Sequence, residues 1–162
     1  MKKELTKDYL HTLFDYKDGN LFWKIKRKTV NPGEQAGRVA NTGYIHIGVD
    51  RSIYAAHRLI FMMFYGYFPK EIDHINGNKA DNRIENLREV TKSQNGLNRK
   101  LPSHNTSGIK GVVWHKNNKN WMVQLAVNGK NKYFGSFKNL ELAELVAIEA
   151  RDKYHGVYAR NM

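Results

Sequence analysis

Cysteine is absent from the 162 residues. That excludes disulfides and any structural zinc held by thiolates, so the fold must be held by packing alone. No apolar run approaches the ~20 residues needed to cross a bilayer. Met1-Lys2-Lys3 is followed by Glu4 and polar residues, with no apolar signal-peptide core. These absences set the expectation of a soluble cytoplasmic protein without a membrane partner. Acidic residues are also few: 15 against 27 lysines and arginines, a net charge of +12 and a pI near 9.8. Such a balance points to a polyanion. The charge is spread along the chain and not gathered in a tail. The length allows one domain or two small ones.

What is present centres on Ile72 to Asn95. Asp73-His74 is followed by Asn86, twelve residues after the histidine, and by Asn95, nine residues further on. Short apolar segments, Glu71-Ile72 and Asn86 to Val90, flank a polar loop with an Asn-Gly turn at Asn76-Gly77. Thr91 and Gln94 have capping-box spacing, so a helix is expected to start there with Asn95 in its first turn. The pattern reads strand, loop, strand, helix. It suits phosphodiester hydrolysis. The Asp73 carboxylate and the Asn95 amide oxygen are hard ligands for Mg²⁺, which keeps waters and takes other ligands from phosphate. His74 has the right basicity to take a proton from water. Asn86 could fix the loop or orient the imidazole. Asn82 is the alternative to Asn86, and is read as a loop residue capping backbone groups. Taken pairwise, such polar clusters are usually plain turns; the whole spaced set is far more specific.

The stretch resembles the HNH endonucleases, also called ββα-metal or His-Me-finger nucleases, and within them the homing type common in phages. The resemblance rests on Asp73-His74, Asp81 to Leu87, Asn86-Leu87-Arg88 and Ser93-Gln94-Asn95, with His57-Arg58-Leu59 upstream. It implies that His74 is the general base, that Asp73 and Asn95 bind metal and that Asn86 is the middle Asn. Asn95 stands where the family name has its last His, which favours Mg²⁺ or Mn²⁺ over Zn²⁺. Products with 5′-phosphate and 3′-hydroxyl ends are implied. One site per chain implies nicking, and a double-strand break needs two events or a homodimer on DNA.

Upstream, apolar spacing predicts a short helix over Leu5 to Phe14, then a turn at Asp18-Gly19-Asn20 and a strand from Leu21 to Ile25 with Trp23 in the core. Lys24 to Lys28 is a basic run, read first as a solvated face. Gly43 to Val49 and Arg51 to Ala56 read as a hairpin, with His46 on its surface. Ala55 to Tyr65 reads as a helix ending near Gly66, ahead of Pro69. His57 is assigned a structural hydrogen bond.

Downstream, Asn98 to Ser107 reads as a linker, in which Arg99 and Lys100 could follow a DNA groove. Three strands are then expected, at Gly111 to His115, Trp121 to Val127 and Lys132 to Phe137, with a turn at Asn128-Gly129. A helix follows from Leu140, capped by Asn139, to about His155. From Ser103 to Lys138 there are six lysines and no acid, while the four acids of this module lie in the helix. A basic sheet of this kind can enter a major groove. Gly111-Val112, Trp114, Trp121, Val127 to Lys130, Phe134 to Phe137 and Glu141 to Ala150 resemble the APETALA-type, ethylene-response-factor-like DNA-binding domain, in the versions found behind HNH domains of phages. The expected DNA contacts are Lys110, Trp114, Lys116, Trp121, Gln124, Lys132 and Tyr133.

The expectation is thus an α+β chain. Residues 1–98 form an HNH domain, 99–107 a linker, and 108–162 a three-stranded antiparallel sheet packed on one helix. Its function would be metal-dependent cleavage of double-stranded DNA, in the host cytoplasm if a phage encodes it. The rivals are a non-catalytic sequence-specific DNA-binding regulator and an RNA-binding protein.

Overall fold

The computed structural model of the chain describes residues 4–99 and 101–159; Lys100 lies outside them. The chain is α+β and divides into two compact units, Met1–Val90 and Thr91–Met162. The division falls earlier than residue 98, so the segment expected to complete the strand–loop–strand–helix order belongs to the second unit.

The first unit opens with α1 (Lys7–Leu13), whose start is capped by the Thr6 hydroxyl accepting from the Tyr9 N–H. Phe14 does not extend this helix, as its spacing suggested. It begins β1 (Phe14–Lys17), which pairs with β2 (Asn20–Trp23) and sets the Phe14 ring 4.4 Å from that of Trp23. Burial against a partner strand outweighs the local helical period. The turn between them has Asp18 and Gly19 at φ 47° and 82°, the left-handed pair of a tight hairpin. Arg27 of the basic run lies over Trp23 and donates to the Gly48 carbonyl.

A three-stranded antiparallel sheet follows: β3 (Arg38–Val39), β4 (Ile45–Val49) and β5 (Ser52–Ala55). Then α2 (Ala56–Tyr65) runs through the centre of the unit and stops at Gly66, which takes φ 82° and donates to the Met62 carbonyl. Leu59, Ile60 and Met63 are fully enclosed and share one core with Leu10, Phe14, Leu21 and Ile47. Burying each such side chain contributes roughly 1.5–3 kcal/mol, more than the helix propensity of any residue in it. Against this core lies the hairpin of β6 (Glu71–His74) and β7 (Leu87–Val90), with Asp73 opposite Arg88 and His74 opposite Leu87. Ile72 and Leu87 fasten it to the core.

The second unit begins with α3 (Lys92–Leu97), started by the reciprocal Thr91–Gln94 capping box. The end of the stretch read as a linker is folded: Asn105 accepts from Gly108 N–H, and the Ser107 hydroxyl lies 2.7 Å from the Val112 carbonyl oxygen. Strands β8 (Val112–His115), β9 (Asn120–Val127) and β10 (Lys130–Phe137) form an antiparallel sheet in the order β10-β9-β8. The β9–β10 turn is Asn128-Gly129, at φ 50° and 76°. Helix α4 (Leu140–His155), capped by the Asn139 side chain, covers one face. Its Ala143 and Ala147 lie directly on Val112 and Val123. Among the described residues no helix is long and apolar enough to cross a membrane.

Candidate active site

Successive residues of a strand face opposite ways, so Asp73 and His74 serve different sides of the β6–β7 hairpin. Asp73 lies opposite Arg88 on one side. The guanidinium brings Nε to 2.9 Å and Nη2 to 2.7 Å of one carboxylate oxygen, Oδ2. Both side chains are largely buried, at 7% exposure for Asp73 and 16% for Arg88. Sequence reasoning gave Arg88 no role beyond its place in the motif. The signal was the register, since a base directly across a strand pair from a buried acid is its natural partner.

His74 lies on the other side, buried. Its Nε2 is 2.9 Å from the Oδ1 of Asn82. The His57 ring from the first turn of α2 stands edge-on to it at 5.1 Å, and the Tyr44 ring lies 5.9 Å from His74 and 5.1 Å from His57. Burial pushes the His74 imidazole below its ordinary pKa, while the bond to Asn82 and the charge of Asp73 act the other way. Burial, aided by His74 and Arg58, pushes His57 down to about 3. A neutral His74 is what a proton acceptor requires. His57 was expected to make a structural hydrogen bond. Instead its Nδ1 is buried without a partner among the described residues, and the ring serves as a wall beside His74.

The two asparagines of the loop divide the roles between them. Asn86 holds the loop: its Oδ1 accepts from the Asn76 N–H, and its Nδ2 donates to Asn76 Oδ1 and to the Asp81 carbonyl. That is the first of the two roles read for it. Asn82, read as a backbone-capping loop residue, is instead the one that meets the imidazole. The difference comes from the β1–β2 turn. A Cβ on Gly19 would stand 2.6 Å from Arg83 N and 3.0 Å from Asn82 C, so this glycine lets the turn press on the Asn82 peptide. The Tyr16 hydroxyl accepts from Ile84 N–H nearby. Asp81 is bound by Arg83 and Asn76, and the Arg83 hydrogen bonds hold its carboxyl well below the usual range. Its role is to shape the loop.

Asn95 sits in the first turn of α3, in the second unit, where its N–H donates to the Thr91 carbonyl. Within the first unit the hard donor is therefore the Asp73 carboxylate. Among the described residues no three acidic or imidazole groups gather to enclose a metal. With no thiolate in the chain, this donor set is unlike a closed zinc site. It fits an ion that keeps its waters and completes its shell with phosphate.

In the second unit the sheet register sorts the expected DNA contacts. Trp114 lies opposite Trp121, in step with Val112 and Val123, on the side covered by α4. The two indole rings lie 4.8 Å apart, tilted at 60° to each other, and Trp121 packs on the core. Lys132, opposite Leu125, also faces that side and donates to the Tyr154 hydroxyl of α4. Gln124 and Tyr133 pair on the opposite face, beside Met122 and Val113. Lys116 is exposed in the β8–β9 turn. Lys110 is half-buried, and its carbonyl receives Arg151.

Residues 54–97 match the family described as HNH endonuclease. That match contains Asp73, His74, Asn82, Asn86 and Asn95. The chain is also similar to Protein 3.8 of Escherichia phage T7, with 37% identity over 97 residues, covering 59% of this chain and 75% of that protein. No solved structure matches.

Proposed function

We propose, for a chain that belongs to the HNH endonuclease family, that its activity is hydrolysis of DNA phosphodiester bonds with His74 as general base. The observation that carries this reading is the buried imidazole of His74, flanked by Asn82 and next in sequence to the buried carboxylate of Asp73, in a hairpin fixed to the core. Asp73 would hold a divalent ion, Mg²⁺ or Mn²⁺. When bound, that ion supplies positive charge against the phosphate and the departing oxygen. The chain's own groups do the rest. His74 removes a proton from water. The water oxygen forms a bond to phosphorus as the bond to the 3′-oxygen breaks, leaving a 5′-phosphate and, after protonation, a 3′-hydroxyl. Arg88 holds the Asp73 carboxylate by one oxygen. Asn86 keeps the loop closed.

The second unit is proposed to bind duplex DNA, as a sheet reading a major groove. The face opposite α4 is the one available for it. Gln124 has both donor and acceptor for base edges. Tyr133 stands 59% exposed beside it. Lys116 and Lys110 would meet phosphates. Trp114, Trp121 and Lys132 are assigned to support the sheet and not to touch bases. A neutral chain would lack the attraction that a net charge of +12 provides.

The test is conversion of supercoiled plasmid by the full chain with Mg²⁺, with Mn²⁺ and with EDTA, alongside DNA and RNA competition for binding. Nicking that needs the metal, with duplex DNA the preferred competitor, is expected. Tight DNA binding without cleavage under either metal would replace this reading with that of a DNA-binding regulator.

A further inference from the structure

We propose that Asn82 is the positioning residue of the active site. It fixes which nitrogen of His74 carries the proton, and so which nitrogen receives the proton from water. The inference rests on His74 being the general base.

Asn82 is the most enclosed polar residue among the described residues, at 1% exposure. Its Oδ1 lies 2.9 Å from His74 Nε2, while its Nδ2 is buried with no partner among the described residues. A leucine of similar size would fill the position without leaving a buried donor unsatisfied. The orphaned amide group is therefore no aid to packing. What asparagine adds is the oxygen. An amide oxygen only accepts, so the neutral imidazole must place its hydrogen on Nε2 and keep its lone pair on Nδ1. The ring has little freedom to turn away. His57 stands edge-on to it at 5.1 Å and Tyr44 closes in at 5.9 Å.

The position of Asn82 is itself fixed from outside the motif. The turn at Gly19 presses on its peptide, and Tyr16 and Asp81 hold the residues after it. Asn86 bonds to the loop backbone and to Asn76. The asparagine that touches the base is thus separate from the one that shapes the loop.

The decisive measurement is a long-range ¹H–¹⁵N spectrum of the metal-free full chain carrying ¹⁵N-histidine, taken at about pH 8, above the ordinary imidazole range. Wild type is expected to show His74 as the Nε2–H form. Asn82→Leu should show a mixture of both forms, and Asn82→Asp, which keeps an acceptor oxygen, should restore the Nε2–H form. In single-turnover cleavage Asn82→Leu should lose roughly 10–100-fold in rate, as partners of active-site groups do, with DNA affinity unchanged. His74 found as the Nδ1–H form in wild type, or an unchanged spectrum in Asn82→Leu, overturns the proposal. If Asn82→Leu does not fold, wild type and Asn82→Asp still decide it. Cleavage retained in His74→Ala would remove the base and leave these spectra as they are. A wrong form in the spectrum would remove the role of Asn82 and leave the base in place.

Discussion

Replacing Arg88 by methionine isolates the pair that orients Asp73. Methionine keeps much of the volume and removes the two N–H groups that meet Oδ2 at 2.9 and 2.7 Å. The Asp73 carboxylate then remains buried, at 7% exposure, without its countercharge. Breaking a buried pair from one side costs about 3–5 kcal/mol. Arg88 is 16% exposed, so water reaches the rim and about 3 kcal/mol is the appropriate figure. At about 4–8 °C per kcal/mol for a unit of this size, the first unit should melt roughly 12–24 °C lower in EDTA. Calorimetry, with hydrogen exchange to assign the transition to the first unit, reads this directly. Two controls sharpen the test. Asp73→Asn combined with Arg88→Met should recover most of the loss, because no charge is left unpaired. Mn²⁺ should raise the melting temperature of Arg88→Met more than that of wild type, because the ion restores positive charge beside Asp73. An Arg88→Met protein as stable as wild type in EDTA would show that Arg88 does not neutralise the buried Asp73 carboxylate.

Three further outcomes are expected. His57 has a pKa of about 3 in the native state against an ordinary 6.5. Between these values the unfolded chain takes up a proton that the native chain does not, so stability falls as pH drops from 6.5 toward 3, by roughly 4–5 kcal/mol over the whole window. His57→Phe should flatten that slope in denaturant midpoints taken at about pH 7 and pH 4.5, whereas an unaltered slope would show that His57 is not its source. Gly19→Ala places a Cβ 2.6 Å from Arg83 N at φ 82°. It should cost about 2–3 kcal/mol and lower the cleavage rate through Asn82, and a neutral substitution would mean the turn does not brace the loop. Gln124→Ala and Tyr133→Ala should weaken DNA binding with little effect on melting, while Trp121→Ala should chiefly destabilise the second unit; the reverse pattern in gel shifts and melting curves would reassign the faces.

The parts of the fold that could be read from sequence are those in which local chemistry and tertiary packing agree. The apolar face of α2 with Gly66 behind it, the Thr91–Gln94 capping box and the Asn128-Gly129 turn all stand where their residues indicated. Asp73 and His74 were singled out because their spacing to Asn86 and Asn95 carries chemistry. The choice between Asn82 and Asn86 could not be read. They sit four apart in one loop without periodicity, and a turn some sixty residues upstream decides which one faces the imidazole. Phe14 had helical spacing because periodicity does not register the strand that pairs with it. The faces of the C-terminal sheet were within reach. Val112 with Trp114, and Trp121 with Val123 and Leu125, alternate in step, which places the tryptophans on the buried side. On β10 the shift between Tyr133 and Gly135 interrupts that parity, and only the register reveals it.

That His74 is the base of a nuclease is tested most directly by single-turnover DNA cleavage by His74→Ala with Mg²⁺ or Mn²⁺. The expected result is a loss of at least about 100-fold in rate, in keeping with general-base catalysis, with DNA affinity near that of wild type. Cleavage by His74→Ala at the wild-type rate would contradict it.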